Sequence, residues 1–293
     1  MVIAGPTASG KTTLATELAL KLNTEIVSAD SRQIYKELNI GVAKPSATEL
    51  ASVLHHFIGT ASVNEGVSAG KYEMQCIPLL DKLFEKHSVV IMAGGSGLYI
   101  DAVCSGFDEL PLAKTGTREE LARQLREKGL SHLQEMLKDS DPEYYEEVDL
   151  QNPHRVMRAL EICSTGIKYS ELRKGRNKTR NFDSIVLSID IQREELYQRI
   201  DKRVEKMMDA GLLDEVRSLI PNKHLLALQT FGYTELFEHL EGNISLEDSI
   251  NKIRQNTRNY AKRQSTWFRK KTDHMIRNAT DALALIEKAQ GGS

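Results

Sequence analysis

Short apolar runs alternate with segments of helical periodicity along the first hundred residues. The apolar residues Leu14, Leu18 and Leu22 recur at the spacing of one helix face. The whole pattern predicts strands at Met1–Ala4, Glu25–Ala29, His55–Ile58 and Ser88–Ala93, helices over 11–22 and 70–86, and a further helix opening at about Leu98. Strands that alternate with helices indicate an α/β fold, in which a parallel sheet is flanked by helices.

Beyond about residue 110 the strand signal disappears. Leu121, Leu125, Leu133, Met136 and Leu137 lie at helical spacing, and helices alone are predicted up to residue 178. Strand signal returns at Ser184–Ile191, and everything after residue 192 is predicted to be helical, over 193–209, 212–219, 230–240, 246–271 and 280–289. An all-helical module, 110–178, is therefore predicted to be inserted into a core formed by 1–109 and 179–293.

Composition indicates a folded protein without a membrane span. The chain has 293 residues, of which 40% are hydrophobic, and a mean hydropathy of −0.38. No apolar run approaches the ~18 residues of a membrane helix, and no signal-peptide pattern is present. Cys76, Cys104 and Cys163 are scattered, which is typical of reduced core cysteines. We expect a cytoplasmic protein with no membrane partner.

Positive charge is concentrated in two segments of a chain whose net charge is only −2. Residues 249–272 carry eight basic residues and no acid, and Arg254, Arg258, Lys262 and Arg269 share one face of the predicted helix. Solvated faces usually mix both signs, so a stripe of one sign indicates a polyanionic partner. The second segment, 151–180, has two acids and the basic residues Arg155, Arg158, Lys168, Arg173, Lys174, Arg176, Lys178 and Arg180. Together they suggest a clamp around nucleic acid.

The first strand runs into a phosphate-binding loop with the pattern G-x-x-x-x-G-K-T. Its eight residues are Gly5, Pro6, Thr7, Ala8, Ser9, Gly10, Lys11 and Thr12. Glycines let the backbone approach an anion, and the following helix turns its positive end toward it. Lys11 adds a charge, and the Thr12 hydroxyl suits Mg²⁺. The loop predicts a site for a pyrophosphate or polyphosphate.

The acid expected at the end of a second strand in a nucleotide-hydrolysing enzyme is missing. The strand Ser88–Ala93 continues into Gly94-Gly95-Ser96 instead. An acid is present at Asp30, after the strand that follows the P-loop helix, at the edge where ligands of such sheets bind. Asp30 is a candidate catalytic base or metal ligand. The alternative is a turn or helix-capping role, because Ser31 follows it.

Several further motifs come in a fixed order along the chain. They are Gly5–Thr12, Ser28–Tyr35, Ala43–Pro45, Gly94–Tyr99, Asn152–Glu161, Gly232–Tyr233 and Lys262–Arg269. This series resembles the tRNA dimethylallyltransferases, also called tRNA isopentenyltransferases, over nearly the whole chain. The resemblance implies transfer of the dimethylallyl group from dimethylallyl pyrophosphate to N6 of the adenosine that follows the anticodon, with release of pyrophosphate.

The resemblance also implies roles for individual residues. The P-loop and Mg²⁺ would stabilise charge on the departing pyrophosphate, and Asp30 would accept the proton of N6. Ser96 stands where many relatives have Thr and keeps the hydroxyl. Arg203 matches an arginine that reaches the pyrophosphate; the alternative is a surface ion pair with Asp201 or Glu205.

The target base is stacked in an anticodon loop and must be extruded to react. By resemblance the residues that face the tRNA anticodon stem-loop are Asp30, Ser31, Arg32, Gln33, Ser96, Arg118, His154, Arg155, Val156, Met157, Arg158, Gln229, Thr230, Phe231, Gly232, Tyr233, Thr234, Lys262, Arg263, Gln264, Ser265, Thr266, Trp267, Phe268 and Arg269. Trp267 and Tyr233 are equally plausible as core anchors. His55-His56 resembles a zinc-ligand pair only weakly and is interpreted as structural.

Two other functions stay open at this point. An adenylate isopentenyltransferase would prenylate free AMP, ADP or ATP, but such an enzyme needs neither the inserted module nor the basic stripe. An ATP-dependent kinase or an RNA-binding P-loop regulator would require the acid that is missing after Ala93. We expect one active site per chain and a monomer.

Overall fold

A parallel sheet of six strands, in the order β3-β2-β4-β1-β5-β6, organises the larger part of the molecule. The computed structural model describes residues 1–107, 110–111, 113–172 and 178–290. The strands are β1 (Val2–Ala4), β2 (Ile26–Ser28), β3 (His55–His56), β4 (Ile91–Ala93), β5 (Val186–Ile189) and β6 (His274–Ile276). The α/β class predicted from the sequence, with a parallel sheet flanked by helices, is confirmed.

The central strands are buried on both faces, which explains their unbroken apolar sequences. Ile3 and Ile26 pack on one face with residues of the first and last helices, whereas Val2 and Val27 pack on the other face. The helices of this part are α1 (Lys11–Leu22), α2 (Ala47–Ser52), α3 (Ala69–Phe84), α4 (Gly97–Cys104), α9 (Arg193–Asp209), α10 (Leu212–Ser218), α11 (Thr234–Leu240), α12 (Leu246–Arg269) and α13 (Ala279–Gln290). Short 3₁₀ turns occur at Ile220–Asn222 and Leu226–Leu228.

The prediction that everything after residue 192 is helical is wrong at β6. This strand pairs in parallel with β5, so that Leu187 lies beside His274 and Ile189 beside Ile276. Only Ile276 of its three residues is buried. An edge strand this short leaves no alternation to recognise in the sequence.

The predicted strand His55–Ile58 is shorter and less buried than expected. Only His55 and His56 pair with β2, both are half-buried, and Phe57 already has a positive φ of 62°. The His56 Nε2 lies 2.6 Å from Glu25 Oε2, and His87 contacts the same carboxylate at 3.4 Å. Among the described residues no group of three or more potential ligands could hold a metal ion. The pair therefore has a structural contact here.

Residues Ser105–Thr179 form a second compact unit, whereas the first consists of Met1–Cys104 and the chain from Arg180 onward. The sequence predicts slightly different limits, 110 and 178. The helices of the second unit are α5 (Thr117–Ser140), α6 (Pro142–Glu147), α7 (Pro153–Cys163) and α8 (Tyr169–Leu172). Of the predicted basic segment, Arg173, Lys174 and Arg176 lie outside the described residues.

The second unit has its own core. Leu133 and Leu137 of α5 pack against Val156 and Leu160 of α7, and all four side chains are buried. The fully buried Asp141 accepts hydrogen bonds from the Tyr144 backbone N–H at 3.1 Å and from the Ser170 hydroxyl at 2.7 Å. No helix in the described ranges is both long and apolar enough to cross a membrane.

Candidate functional site

Three loops meet at the carboxyl edge of the sheet because β2, β4 and β1 are neighbours. The P-loop follows β1, Asp30 follows β2, and Gly94–Ser96 follow β4. They border a cavity of about 870 Å³ that is completed by residues of α9 and α12. Sequence analysis predicted the contributions of the three loops, and the structure brings them together in one cavity.

The P-loop has the conformation of an anion cradle. Gly5 and Gly10 have φ angles of 138° and 98°, which are accessible to glycine at little cost, and Ala8 is also at positive φ. Helix α1 begins directly after Gly10 without a side-chain cap and without an acidic residue in its first turn. Its free N–H groups and positive end therefore face the cavity and can bind an anion.

Lys11 and Arg203 bring two cations to this cradle. The Lys11 Nζ donates to the Pro6 carbonyl at 2.6 Å, and the Arg203 Nη1 donates to the Thr7 hydroxyl at 3.0 Å. Burial, with the neighbouring Arg203 adding, lowers the pKa of Lys11 to about 7, while Asp30 opposes this shift. Burial also lowers the pKa of Arg203, and Asp30 again acts in the opposite direction. Two enclosed cations near one loop are arranged for a multiply charged anion.

The alternative of a surface ion pair for Arg203 is wrong. The carboxylate of Asp201 binds Arg258 instead, and that of Glu205 binds Arg254. Both acids lie on α9 and both arginines on α12. This pairing leaves Arg203 directed at Thr7 in the P-loop.

Asp30 combines the two roles that its sequence context left open. Its Oδ1 accepts hydrogen bonds from the backbone N–H groups of Arg32 at 2.9 Å and Gln33 at 3.2 Å, which is an Asx turn. Its Oδ2 receives no hydrogen bond from the described residues and the carboxylate lines the cavity. The turn therefore fixes one oxygen and leaves the other available to a ligand.

Ser96 supports the same turn. Its Oγ accepts the Ser31 backbone N–H at 2.9 Å and donates to the Ser31 hydroxyl at 3.1 Å. The chain can reach this point only through Gly94, since a Cβ there would lie 2.1 Å from the Ala29 carbonyl oxygen. The Gly-Gly-Ser sequence after β4 thus serves close contact between two strand ends.

The loop at residues 39–43 forms another wall and is held by side chains from elsewhere. Glu215 accepts the backbone N–H groups of Asn39, Ile40 and Gly41 at 3.2, 2.8 and 3.1 Å, and also the Tyr233 hydroxyl at 2.7 Å. The Gln33 Nε2 donates to the carbonyls of residues 42 and 43 at 3.2 and 2.9 Å. Sequence analysis missed Glu215, because nothing near it in the chain signals its partners.

Tyr260 is a further site residue that sequence analysis did not assign to the chemistry. It lines both the main cavity and a second one of about 390 Å³ beside Trp267. Its ring packs on that of Phe231, with centroids 4.9 Å apart. Burial, with Asp30 adding, raises the pKa of Tyr260 to about 12, so that its hydroxyl stays protonated at neutral pH. The only sequence signal was its position on the apolar face of α12.

The basic stripe of α12 divides into two parts. Arg254 and Arg258 are paired with acids of α9, and Lys252 is paired with Glu238. The expectation of an unneutralised stripe is therefore wrong for this half of the helix. In the other half, the exposed residues with no acidic partner among the described ones are Lys262, Arg263, Arg269 and Lys270.

The residues that the resemblance assigns to tRNA differ in exposure. Those on the surface are Arg118, His154, Arg155, Arg158, Gln229, Lys262, Arg263, Thr266 and Arg269. Those that are partly buried are Asp30, Ser31, Arg32, Gln33, Ser96, Thr230, Phe231, Thr234, Ser265 and Trp267. Those that are buried are Val156, Met157, Gly232, Tyr233, Gln264 and Phe268. For Tyr233 the core alternative is correct, because its ring is fully buried and its hydroxyl binds Glu215.

Comparisons with known proteins agree with this geometry. A family model described as IPP transferase matches residues 33–271. The chain is 48% identical to the tRNA dimethylallyltransferase of Christiangramia forsetii, over 92% of this chain and 89% of that one. It is 46% identical to tRNA dimethylallyltransferase 1 of Bacteroides thetaiotaomicron, over 94% and 90%. The crystal structure of the tRNA isopentenylpyrophosphate transferase of Bacillus halodurans superposes with a TM-score of 0.71 at 32% identity, covering 99% of this chain and 95% of that one.

Proposed function

Because the chain belongs to the IPP transferase family and acts as a tRNA dimethylallyltransferase, we propose that the cavity above the P-loop binds dimethylallyl pyrophosphate. The enzyme prenylates N6 of the adenosine that follows the anticodon of tRNA. This activity sets aside the two alternatives, an adenylate isopentenyltransferase and a P-loop kinase or regulator. What remains to be assigned is which residues hold each substrate and move the proton.

The convergence of Lys11, Arg203 and the α1 N-terminus carries the assignment of the diphosphate. All three are directed at one loop, and the cavity beside them is bordered by Asp30. An allylic carbon loses its leaving group readily, so stabilising charge on the departing pyrophosphate is the main catalytic demand. Fixed donors and cations that meet this charge need no reorganisation during the reaction.

Asp30 is the proposed base. Adenine N6 is a weak nucleophile because its lone pair is conjugated with the ring, and it must lose a proton as the C–N bond forms. The Asx turn holds one carboxylate oxygen, so the Oδ2 can take that proton without competing backbone donors. Ser96 keeps this turn in place through Ser31.

The residues present fit a magnesium ion beside the diphosphate. Thr12 lines the cavity next to Lys11 and offers a hard oxygen ligand. Mg²⁺ in such sites takes one or two protein oxygens, with substrate phosphates and water completing the shell. Thr12 would hold the ion, and when bound it would neutralise charge on the pyrophosphate oxygens.

All residues of this proposed site come from one chain, which supports a monomeric enzyme. The three cysteines are free, as a cytoplasmic location would require. For tRNA binding we propose the exposed residues of the second unit, Arg118, His154, Arg155 and Arg158, together with the unpaired cations near the end of α12.

The assignment of the donor and acceptor is tested directly by product analysis. Purified enzyme is incubated with dimethylallyl pyrophosphate, Mg²⁺ and unmodified tRNA, and the tRNA is digested and weighed. We expect one added C5H8 unit on the adenosine after the anticodon and an equal amount of pyrophosphate. Parallel incubation with AMP should give no product. Prenylated AMP with unchanged tRNA would contradict the assignment.

Binding of the diphosphate is expected to become weaker above pH 7. The pKa of Lys11 is about 7 in the free cradle, whereas a bound diphosphate favours the charged amine. Below pH 7 Lys11 is already protonated; above it, binding must take up a proton, and affinity falls by up to about tenfold per pH unit. Calorimetry at pH 8 to 9 with a non-reactive thio analogue, in two buffers of different ionisation enthalpy, measures this uptake.

Lys11→Arg is the matched control, because arginine stays charged throughout this range. The variant should bind the analogue without proton uptake. Equal heats in both buffers for the parent enzyme would show that Lys11 is already charged in the free cradle.

Salt dependence is expected to separate the two halves of the α12 stripe. Replacing Arg263 and Arg269 by glutamine should weaken tRNA binding and lower the slope of log K against log salt by about 1.4–1.8, as two phosphate contacts are lost. Replacing Arg254 and Arg258, which already neutralise Glu205 and Asp201, should leave the slope nearly unchanged. Filter binding from 50 to 300 mM salt gives both slopes; a larger effect at the paired residues would contradict the prediction.

A further inference from the structure

The side chain of Gln264 connects two loops of the active site. Its Oε1 accepts the backbone N–H of Thr7 at 2.8 Å, and its Nε2 donates to the Gly95 carbonyl at 2.8 Å. The residue is 7% exposed and projects from α12, more than 160 positions away from either partner in the sequence. One amide group thus satisfies a backbone donor of the P-loop and a backbone acceptor after β4.

Each end of this bridge belongs to a different half of the proposed reaction. Thr7 lies in the cradle, and its hydroxyl accepts the hydrogen bond of Arg203. Gly95 precedes Ser96, whose Oγ holds the Ser31 backbone next to Asp30. Gln264 itself lines both the main cavity and the second cavity beside Trp267. It therefore spans the leaving-group side and the base side of the site.

The bridge is sterically tight as well as hydrogen-bonded. A Cβ built on Gly95 would lie 2.3 Å from Gln264 Nε2, so the glycine backbone packs directly on the amide. Neither loop can shift along the other without breaking one of the two hydrogen bonds. A buried donor or acceptor left unpaired in this way is unfavourable.

We propose that Gln264 is a positioning residue that fixes the distance between the pyrophosphate cradle and the Asp30 turn. The proposal rests on the function proposed above for these two elements. Prenyl transfer needs the allylic carbon, N6 and the base aligned at once, and a misplacement of about 1 Å can lower a rate about 100-fold. The resemblance assigns Gln264 to tRNA contact, but both ends of its amide are bonded inside the protein.

The test compares Gln264→Met, which keeps the length of the side chain and loses both hydrogen bonds, with Gln264→Asn, which keeps the amide but cannot span both partners. Steady-state kinetics are measured with dimethylallyl pyrophosphate and tRNA varied in turn, alongside tRNA affinity and thermal unfolding. We expect kcat to fall 10- to 100-fold in both variants, while both KM values and tRNA affinity change less than threefold.

Gln134→Met is the matched control. The Gln134 Nε2 donates to the Leu150 carbonyl at 2.8 Å in the second unit, so the same kind of bond is lost away from the cavity. It should retain the parent kcat even if its melting temperature falls. If Gln264→Met does not fold, Gln264→Asn alone decides the question.

Three results would overturn the proposal: an unchanged kcat, a loss of activity explained wholly by the unfolded fraction, or a loss of tRNA affinity at unchanged kcat. The last would assign Gln264 to RNA contact. Failure of the proposed function would look different, because the parent enzyme itself would then give no prenylated tRNA.

Discussion

Asp30→Asn is expected to lower kcat by about 10²- to 10⁴-fold, the usual contribution of a positioned general base. Asparagine can still accept the backbone N–H groups of Arg32 and Gln33 through Oδ1, so the Asx turn should survive. What the variant loses is the basic oxygen that faces the cavity. Single-turnover prenylation of tRNA at saturating substrate measures the loss, and tRNA affinity should stay within about threefold of the parent.

A suitable control is Asp190→Asn, because Asp190 is paired with the exposed Arg277 at the end of β5. This variant should retain full activity. A rate for Asp30→Asn within threefold of the parent would remove Asp30 from proton transfer and leave it only the turn role.

Arg203→Met is expected to lower kcat/KM for dimethylallyl pyrophosphate by about 10²- to 10³-fold, the effect typical of removing one preorganised donor from a site of developing charge. The guanidinium is buried and bonded to Thr7, close to Lys11 and Asp30. Its loss should weaken binding of inorganic pyrophosphate as well as slow the reaction, unlike the change at Asp30. Arg203→Lys should recover part of the loss.

Arg193→Met tests whether a cation anywhere on α9 has the same effect. Arg193 starts this helix, is exposed and lies over the ring of Tyr197 at 5.1 Å. We expect parent kinetics from this variant. Normal pyrophosphate inhibition in Arg203→Met would contradict the assigned contact with the leaving group.

Much of the α/β core follows from local signals in the sequence. β1 and α1 are bounded by the glycines of the P-loop, and the alternation of apolar runs with helical periodicity gives the parallel sheet. β6 could not be found in this way. Its three residues become a strand only through hydrogen bonds to β5, which lies about 85 positions earlier in the chain.

The site divides along the same line. Lys11 and Asp30 stand in motifs whose chemistry is local, and Arg203 and Ser96 were reached through family resemblance. The bridging role of Gln264, the clamp of Glu215 and the neutralisation of Arg254 depend on partners 49 to 257 positions away. A sequence pattern specifies residue types within one element, but it does not specify which element packs beside it.

The order of strands in the sheet has a consequence for the birth of the enzyme on the ribosome. β1 is among the first residues made, yet one of its two neighbours, β5, begins at residue 186. At about 5–20 residues per second, the nascent strand waits roughly 10–40 s before this partner is synthesised. During that interval the unit of residues 105–179, with its own core, can fold first. The phosphate cradle therefore matures late, although its sequence is translated first.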